Sequence, residues 1–262
     1  MSTNTILEVK DLCKTYIVNK RQNNVLRNVS FRINKGEMVA VMGPSGSGKS
    51  TLLYTVSGMD KMTAGSVNFC GKSLADMNDN ALAKMRLDDM GFIFQQMYMM
   101  KNLSIIDNII LPAVKSDKKS ESRRETLKRG QELMHRLGIS EICENDINEV
   151  SGGQLQRACI CRSMINDPQM IFADEPTGAL NRTSSDEVMN ELEKLNSDGT
   201  TIMLVTHDAK VAAKCSRVLY IVDGNIKGEY NINKAQPLNQ RERGLNDWLM
   251  EMGWYYGRYT YC

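Results

Sequence analysis

Residues 43–50, Gly43, Pro44, Ser45, Gly46, Ser47, Gly48, Lys49 and Ser50, follow the pattern G-x-x-x-x-G-K-[ST]. A loop of this kind holds a polyphosphate. Its glycines lack the Cβ atoms that would keep backbone N–H groups away from an anion, and they reach unusual φ angles. Lys49 brings a point charge to the β- and γ-phosphates, the Ser50 hydroxyl is a ligand for Mg²⁺, and Thr51 continues into the helix. Far downstream the apolar run 170–173 ends in Asp174 and Glu175. Two carboxylates at a buried strand end need a cation or a proton beside them. Asp174 suits Mg²⁺, directly or through water, and Glu175 suits a general base acting on the attacking water. Between the two lies Ser151, Gly152, Gly153 and Gln154, a second glycine turn without a lysine.

The bland readings are a chance glycine turn and an exposed acidic turn. Flanking elements argue against both. The continuously apolar run 38–42 reads as a strand buried on both faces of a mainly parallel sheet, and 49–57 reads as a helix. That helix would aim the positive end of its dipole at the phosphates. Strands are expected at 6–9, 24–33, 65–70, 91–94, 170–173, 201–206, 217–222 and 226–230, and helices at 120–137, 154–164 and 240–252. The expected architecture is an α/β nucleotide-binding lobe with a mostly helical subdomain inserted in it.

Composition narrows the class. The 262 residues are 42% hydrophobic and 24% charged with a net charge of +2, which suits a globular protein and gives no footing for nucleic acid. Seven cysteines lack a framework, and Cys159 and Cys161, two apart on a helix, point in different directions, so reduced thiols of a cytosolic protein are expected. The start of the chain does not read as a secretory signal, and no stretch reaches the roughly 20 apolar residues of a spanning helix. Any link to a membrane is therefore expected to run through a partner. The charge-rich run 115–129 reads as a solvated helix face and loop, and His135 as a surface residue.

Taken together, the three motifs resemble the ATP-binding cassette family over almost the whole chain, 6–230. The run Val150-Ser151-Gly152-Gly153-Gln154 is similar to its signature motif, with valine where leucine is usual. The resemblance implies a P-loop NTPase lobe of RecA-like α/β fold with an antiparallel β subdomain, covering 1–95 and 168–235. It implies a helical subdomain at 96–167, and a C-terminal helix and aromatic tail occupy 236–262. It also implies ATP and Mg²⁺ as cofactors and a head-to-tail dimer, in which each signature loop caps the nucleotide on the partner's lysine loop.

Other roles follow from the same resemblance. Tyr16 matches the aromatic that stacks on adenine, although read alone it fits a core or edge-strand position. Gln95 matches the glutamine that touches Mg²⁺ and the attacking water and faces the transporter. His207 matches the switch histidine that contacts the γ-phosphate. The loop after the acidic pair departs from the family, with Asn181 where aspartate is usual; it keeps hydrogen bonding but loses charge.

Within the family the chain is most similar to ATPases of the macrolide-export and lipoprotein-release group, especially those of bacitracin and lantibiotic exporters. This implies an ATPase on the cytoplasmic face of the membrane, powering a separate integral permease near Gln95 and the segment 97–106. A soluble cassette acting on ribosomes or DNA would be expected to show two cassettes, a coiled-coil insertion or a basic bias. A non-catalytic relative would be expected to have lost the acidic pair or His207. The helix at 240–252, with Leu245, Trp248, Leu249 and Met252 on one face, is expected to pack on its own domain rather than on a partner.

Overall fold

A computed structural model describes residues 4–118 and 121–254. The described strands form two sheets. The first is antiparallel, in the order β2-β1-β4-β5, from β1 (Thr5–Val18), β2 (Arg21–Asn34), β4 (Ala64–Phe69) and β5 (Lys72–Ser73). The second has the order β10-β9-β3-β8-β7-β6. It comprises β3 (Met38–Met42), β6 (Met90–Ile93), β7 (Met170–Asp174), β8 (Thr201–Val205), β9 (Arg217–Val222) and β10 (Asn225–Asn231). Its pairings are parallel except β9 with β10.

The apolar strands are explained by what covers each face. Met38, Ala40 and Met42 of β3 join one core, and Val39 and Val41 join the other. The neighbours split likewise: Ile202 and Leu204 against Met203 and Val205 in β8, Ile171 and Ala173 against Met170 and Phe172 in β7. One core faces the antiparallel sheet and α1 (Lys49–Val56). The other is covered by helices, so no face of these strands meets water.

Hairpin β1–β2 is longer than the sequence patterns at 6–9 and 24–33 suggested. Asn19 and Lys20 both have positive φ, 51° and 61°, and connect strands paired from Val18–Arg21 inward. A two-residue turn of that handedness matches strand twist, but here no glycine marks it in the sequence. The helices outside the expected set include α2 (Asp79–Asp89) and α6 (Arg182–Ser197), capped by the side chains of Asn78 and Asn181. The inserted helices are α3 (Ile105–Lys115), α4 (Arg123–Arg136) and α5 (Gly152–Met164). Helix α4 starts at a capping box made by Ser122 and Glu125, inside the charge-rich run.

After the short α7 (Ala209–Ala212), helix α8 (Leu238–Glu251) lies on β9 and β10. Leu245 and Leu249 are fully buried, and the Trp248 ring lies 5.3 Å from Tyr230 and 6.1 Å from Tyr220. A Cβ on Gly228 would come within 2.9 Å of the Trp248 ring, so this glycine admits the tryptophan. The aromatic tail beyond Trp254 lies outside the described residues. Among the described residues no helix is long and apolar enough to cross a membrane.

Because α8 uses its apolar face on its own domain, Leu249→Ala should cost about 2–5 kcal/mol through the lost contacts and the cavity left behind. Thermal unfolding should show a clearly lowered midpoint; an unchanged one would mean that α8 does not contribute to this core.

Candidate active site

The lysine loop leaves β3 at Met42 and enters α1 at Lys49. Its glycines are required for different reasons. A Cβ on Gly43 would lie 2.1 Å from the carbonyl of Ile221, so the loop touches β9 backbone to backbone. Gly46 and Gly48 adopt φ of 78° and 99°, in the region that side chains disfavour. Helix α1 starts at Gly48 without a side-chain cap, which leaves its first N–H groups to an outside acceptor. The buried Ser47 Oγ also has no partner among the described residues. Lys49 Nζ donates to the carbonyls of Gly43 (2.8 Å) and Pro44 (2.9 Å). Burial lowers its pKa, and the Glu175 and Asp174 carboxylates act in the opposite sense.

The register of the parallel strands brings the remaining groups to the same edge. Asp174 ends β7 opposite Val205 of β8, and Val205 in turn lies opposite Val41 of β3. Asp174 is only 6% exposed. Ser50 Oγ donates to its Oδ1 at 3.0 Å, and the Tyr54 hydroxyl donates to its Oδ2 at 2.7 Å. Glu175 has φ of 47°, an uncommon value for a residue with a side chain, and its N–H donates to the Val205 carbonyl. Its Oε1 lies 2.9 Å from His207 Nδ1. Both residues line a cavity of about 450 Å³ with Asp186, Lys210, Lys214 and Glu242.

The donor set fits a hard divalent cation: a hydroxyl and a carboxylate oxygen 3.0 Å apart, with no sulfur or imidazole between them. The loop likewise fits a polyphosphate, through its positive-φ glycines, the uncapped helix start and the lysine folded over it. Among the described residues Gln95 makes no hydrogen bond to that pair. It is exposed, with its Nε2 lying toward Gly178, and among the described residues the side-chain hydrogen bonds to Asp174 come from Ser50 and Tyr54.

Tyr16 sits near the end of β1 in a polar cluster. Its hydroxyl donates to Asp60 Oδ2 at 2.5 Å, Lys14 Nζ donates to Asp60 Oδ1 at 2.6 Å, and the same ammonium lies 4.6 Å from the centre of the Tyr16 ring. Burial first, and then Asp60, raise the Tyr16 pKa, so the ring stays a neutral phenol. The Thr51 side chain, on α1, acts on that pKa in the opposite sense.

The second glycine turn is built differently. Ser151 caps α5: its Oγ accepts from Gln154 N, and Gln154 Oε1 accepts from Ser151 N at 2.9 Å. Gln154 Nε2 donates to Glu141. A Cβ on Gly153 would meet Ser184 Oγ at 2.8 Å, so the start of α5 lies tight against α6. Helix α5 packs with α3, α4, α6 and β6, whereas α1 packs with β1, β2, β7 and β8. Among the described residues no hydrogen bond joins the Ser151 turn to the lysine loop. Asn181, which the sequence marks as a lost charge, is the cap of α6, its Oδ1 accepting from Ser184 N at 2.9 Å.

The ABC transporter family model matches residues 26–178, which include the lysine loop, the Ser151 turn and the acidic pair. The chain belongs to the ABC transporter family. Among curated relatives, the macrolide export ATP-binding/permease protein MacB of Shigella flexneri is 42% identical over 221 residues, 84% of this chain and 34% of that protein. MacB of Hahella chejuensis is 39% identical over 242 residues, covering 92% and 36%. The chain thus spans about a third of the length of these relatives. The dimeric bacterial ABC transporter cassette MJ0796 is 37% identical, with a TM-score of 0.81 over 87% of this chain and 99% of that one. A second structure of MJ0796 is a post-hydrolysis state bound to ADP and Pi, with the same TM-score. The chain is an ABC ATPase cassette of RecA-like α/β fold, similar over part of their length to proteins named for macrolide export.

Lys49→Ala should reduce ATP affinity at least about 100-fold in a folded cassette, because the phosphates lose a charge-assisted donor. Calorimetric titration of ATP measures this; wild-type affinity would reject the loop as the phosphate site.

Proposed function

We propose that two copies of this cassette bind Mg²⁺ and ATP between them and hydrolyse the nucleotide to drive a membrane permease that exports or removes antimicrobial peptides. One observation carries the dimer. The chain has two phosphate-type cradles at helix starts, the lysine loop on α1 and the Ser151 turn on α5, and they pack on different elements. The second cradle is of use only to a nucleotide held by another copy. The dimeric MJ0796 cassette supports the same arrangement.

In this reading Gly43, Pro44, Ser45, Gly46, Ser47, Gly48, Lys49, Ser50 and Thr51 hold the phosphates. Tyr16, with one face taken by Lys14, offers the other to adenine. Ser50, Asp174 and Gln95 hold Mg²⁺, with Gln95 moving in from its position over Gly178. When bound, the cation neutralises charge on the β- and γ-phosphates. Glu175 Oε1 takes the proton of the attacking water, and His207, hydrogen-bonded to that oxygen, orients it and reaches the γ-phosphate. Ser151, Gly152, Gly153 and Gln154 cap the partner's nucleotide.

The permease reading rests on a groove of about 370 Å³ between the lobe and the helical subdomain, lined by Met59, Arg86, Phe92, Phe94, Tyr98 and Arg162. Tyr98 is 66% exposed and Met100 48%, an adaptable apolar rim just beyond Gln95. The names of the MacB relatives pair an ATP-binding part with a permease and favour macrolide export as a second reading of the cargo. Such a cassette would sit on the cytoplasmic face of the membrane. Isolating the protein from native membranes should bring the permease with it; recovery with ribosomes instead would overturn the transport reading.

Glu175→Gln should bind ATP but hydrolyse it very slowly, since an amide cannot accept the proton. Gel filtration of that variant with Mg·ATP should show a dimer, and a strict monomer with ATP bound would count against the shared site. Complementation tests the same geometry. Ser151→Arg and Lys49→Ala proteins should each be nearly inactive, while their mixture contains one site built from two undamaged halves. Activity should return on mixing. Full activity of either variant alone would reject the composite site.

A further inference from the structure

Tyr54 is absent from the residues that the sequence motifs select, yet it makes one of the two side-chain hydrogen bonds to the buried carboxylate. It follows Ser50 by four residues on α1, so both side chains project from one face of the helix. Ser50 holds Asp174 Oδ1 and Tyr54 holds Oδ2. We propose that Tyr54 is a positioning residue for the divalent cation: its hydroxyl fixes Asp174 Oδ2 so that Oδ1 stays turned toward Ser50. The inference rests on the reading of Ser50 and Asp174 as cation ligands.

Two features support it. First, Ser50 cannot keep donating to Oδ1 while sharing a cation with that oxygen, whereas Tyr54 meets the other oxygen and has no such conflict. Second, the ring is wedged in place. Its centre is 6.5 Å from Phe94, Phe94 stacks on Phe92 at 5.9 Å, and Phe92 stacks on Phe172 at 5.7 Å. Phe172 belongs to β7, two residues before Asp174, so the hydroxyl and its acceptor are anchored to the same packed unit. A tyrosine kept only to fill space would lose nothing as phenylalanine.

Tyr54→Phe retains the ring and removes the hydroxyl, so it separates the two roles. Mn²⁺ titrated into the ADP-loaded protein, followed by the electron paramagnetic resonance of free Mn²⁺, reads the cation site without turnover. We expect the Mn²⁺ affinity of Tyr54→Phe to fall about tenfold, the usual scale for an outer partner of a metal ligand. ADP affinity in EDTA should stay at the wild-type value, because the phosphates and base do not use this hydroxyl. Asp174→Asn serves as the reference. If it weakens Mn²⁺ binding while Tyr54→Phe stays within twofold of wild type, Tyr54 has no positioning role and the metal reading of Asp174 survives. If Asp174→Asn leaves Mn²⁺ affinity unchanged, the cation reading fails and the role of Tyr54 falls with it.

Discussion

Asp174 puts a carboxylate, 6% exposed, at the end of a strand with both faces covered. Burying such a group costs several kcal/mol unless hydrogen-bond donors or a cation compensate. The structure supplies two donors from a single helix, Ser50 and Tyr54, and α1 can supply them only if it starts at the end of β3 and runs back across β7 and β8. The lysine loop, the strand order and the helix direction are therefore tied to the same carboxylate. Shifting β7 by one residue against β8 would turn Asp174 toward the opposite face, because side chains alternate along a strand.

The strand order makes one continuous edge from β3, β8 and β7. Gly43 follows the first, His207 lies two residues past the second, and Glu175 follows the third. Ligands of open parallel sheets bind beyond the C-terminal ends of the strands, and all three groups sit there. The helical subdomain serves a different purpose. Through the capping box of Ser151 and Gln154 it starts α5 away from this edge, packed on α3, α4, α6 and β6.

Much of this was legible from residue types. The buried runs 38–42, 170–173 and 202–205 are continuously apolar because two cores, one on each face of the sheet, consume every side chain. The lysine loop and the acidic pair were legible because phosphate and cation chemistry tolerate few substitutes. Helix α6 was harder to see: its apolar positions Val188, Met189, Leu192 and Leu195 lie on one face, but its cap, Asn181, draws attention as a lost charge rather than as a helix start. The Asn19–Lys20 turn was hidden because neither residue is glycine. Tyr54 was hidden because an aromatic inside a helix carries no motif. Its spacing of four residues from Ser50 gains meaning only once Asp174 is seen across from both. Gln95 was selected by its resemblance to the family's glutamine, but the place of its side chain, toward Gly178, depends on how the segment after β6 bends, which residue types do not encode.

The polar groups of the site largely satisfy one another within the chain. Lys49 donates to two loop carbonyls, Ser50 and Tyr54 to Asp174, and Glu175 pairs with His207. For these side chains nucleotide binding is thus an exchange of hydrogen bonds, driven by a difference between partners, whereas Ser47 Oγ and the first N–H groups of α1 are unmet among the described residues. For Lys49 the difference is favourable, since a bond from an ammonium to a phosphate oxygen is charged at both ends while its bond to a peptide carbonyl is charged at one. For Asp174 the sign is reversed: a triphosphate brought near a second anion is repelled, and two neutral hydroxyl donors offset little of that charge. On the proposed reading a cation shared between them would offset that repulsion. The same carboxylate that anchors α1 would then couple nucleotide binding to a divalent ion, through residues on one face of one helix.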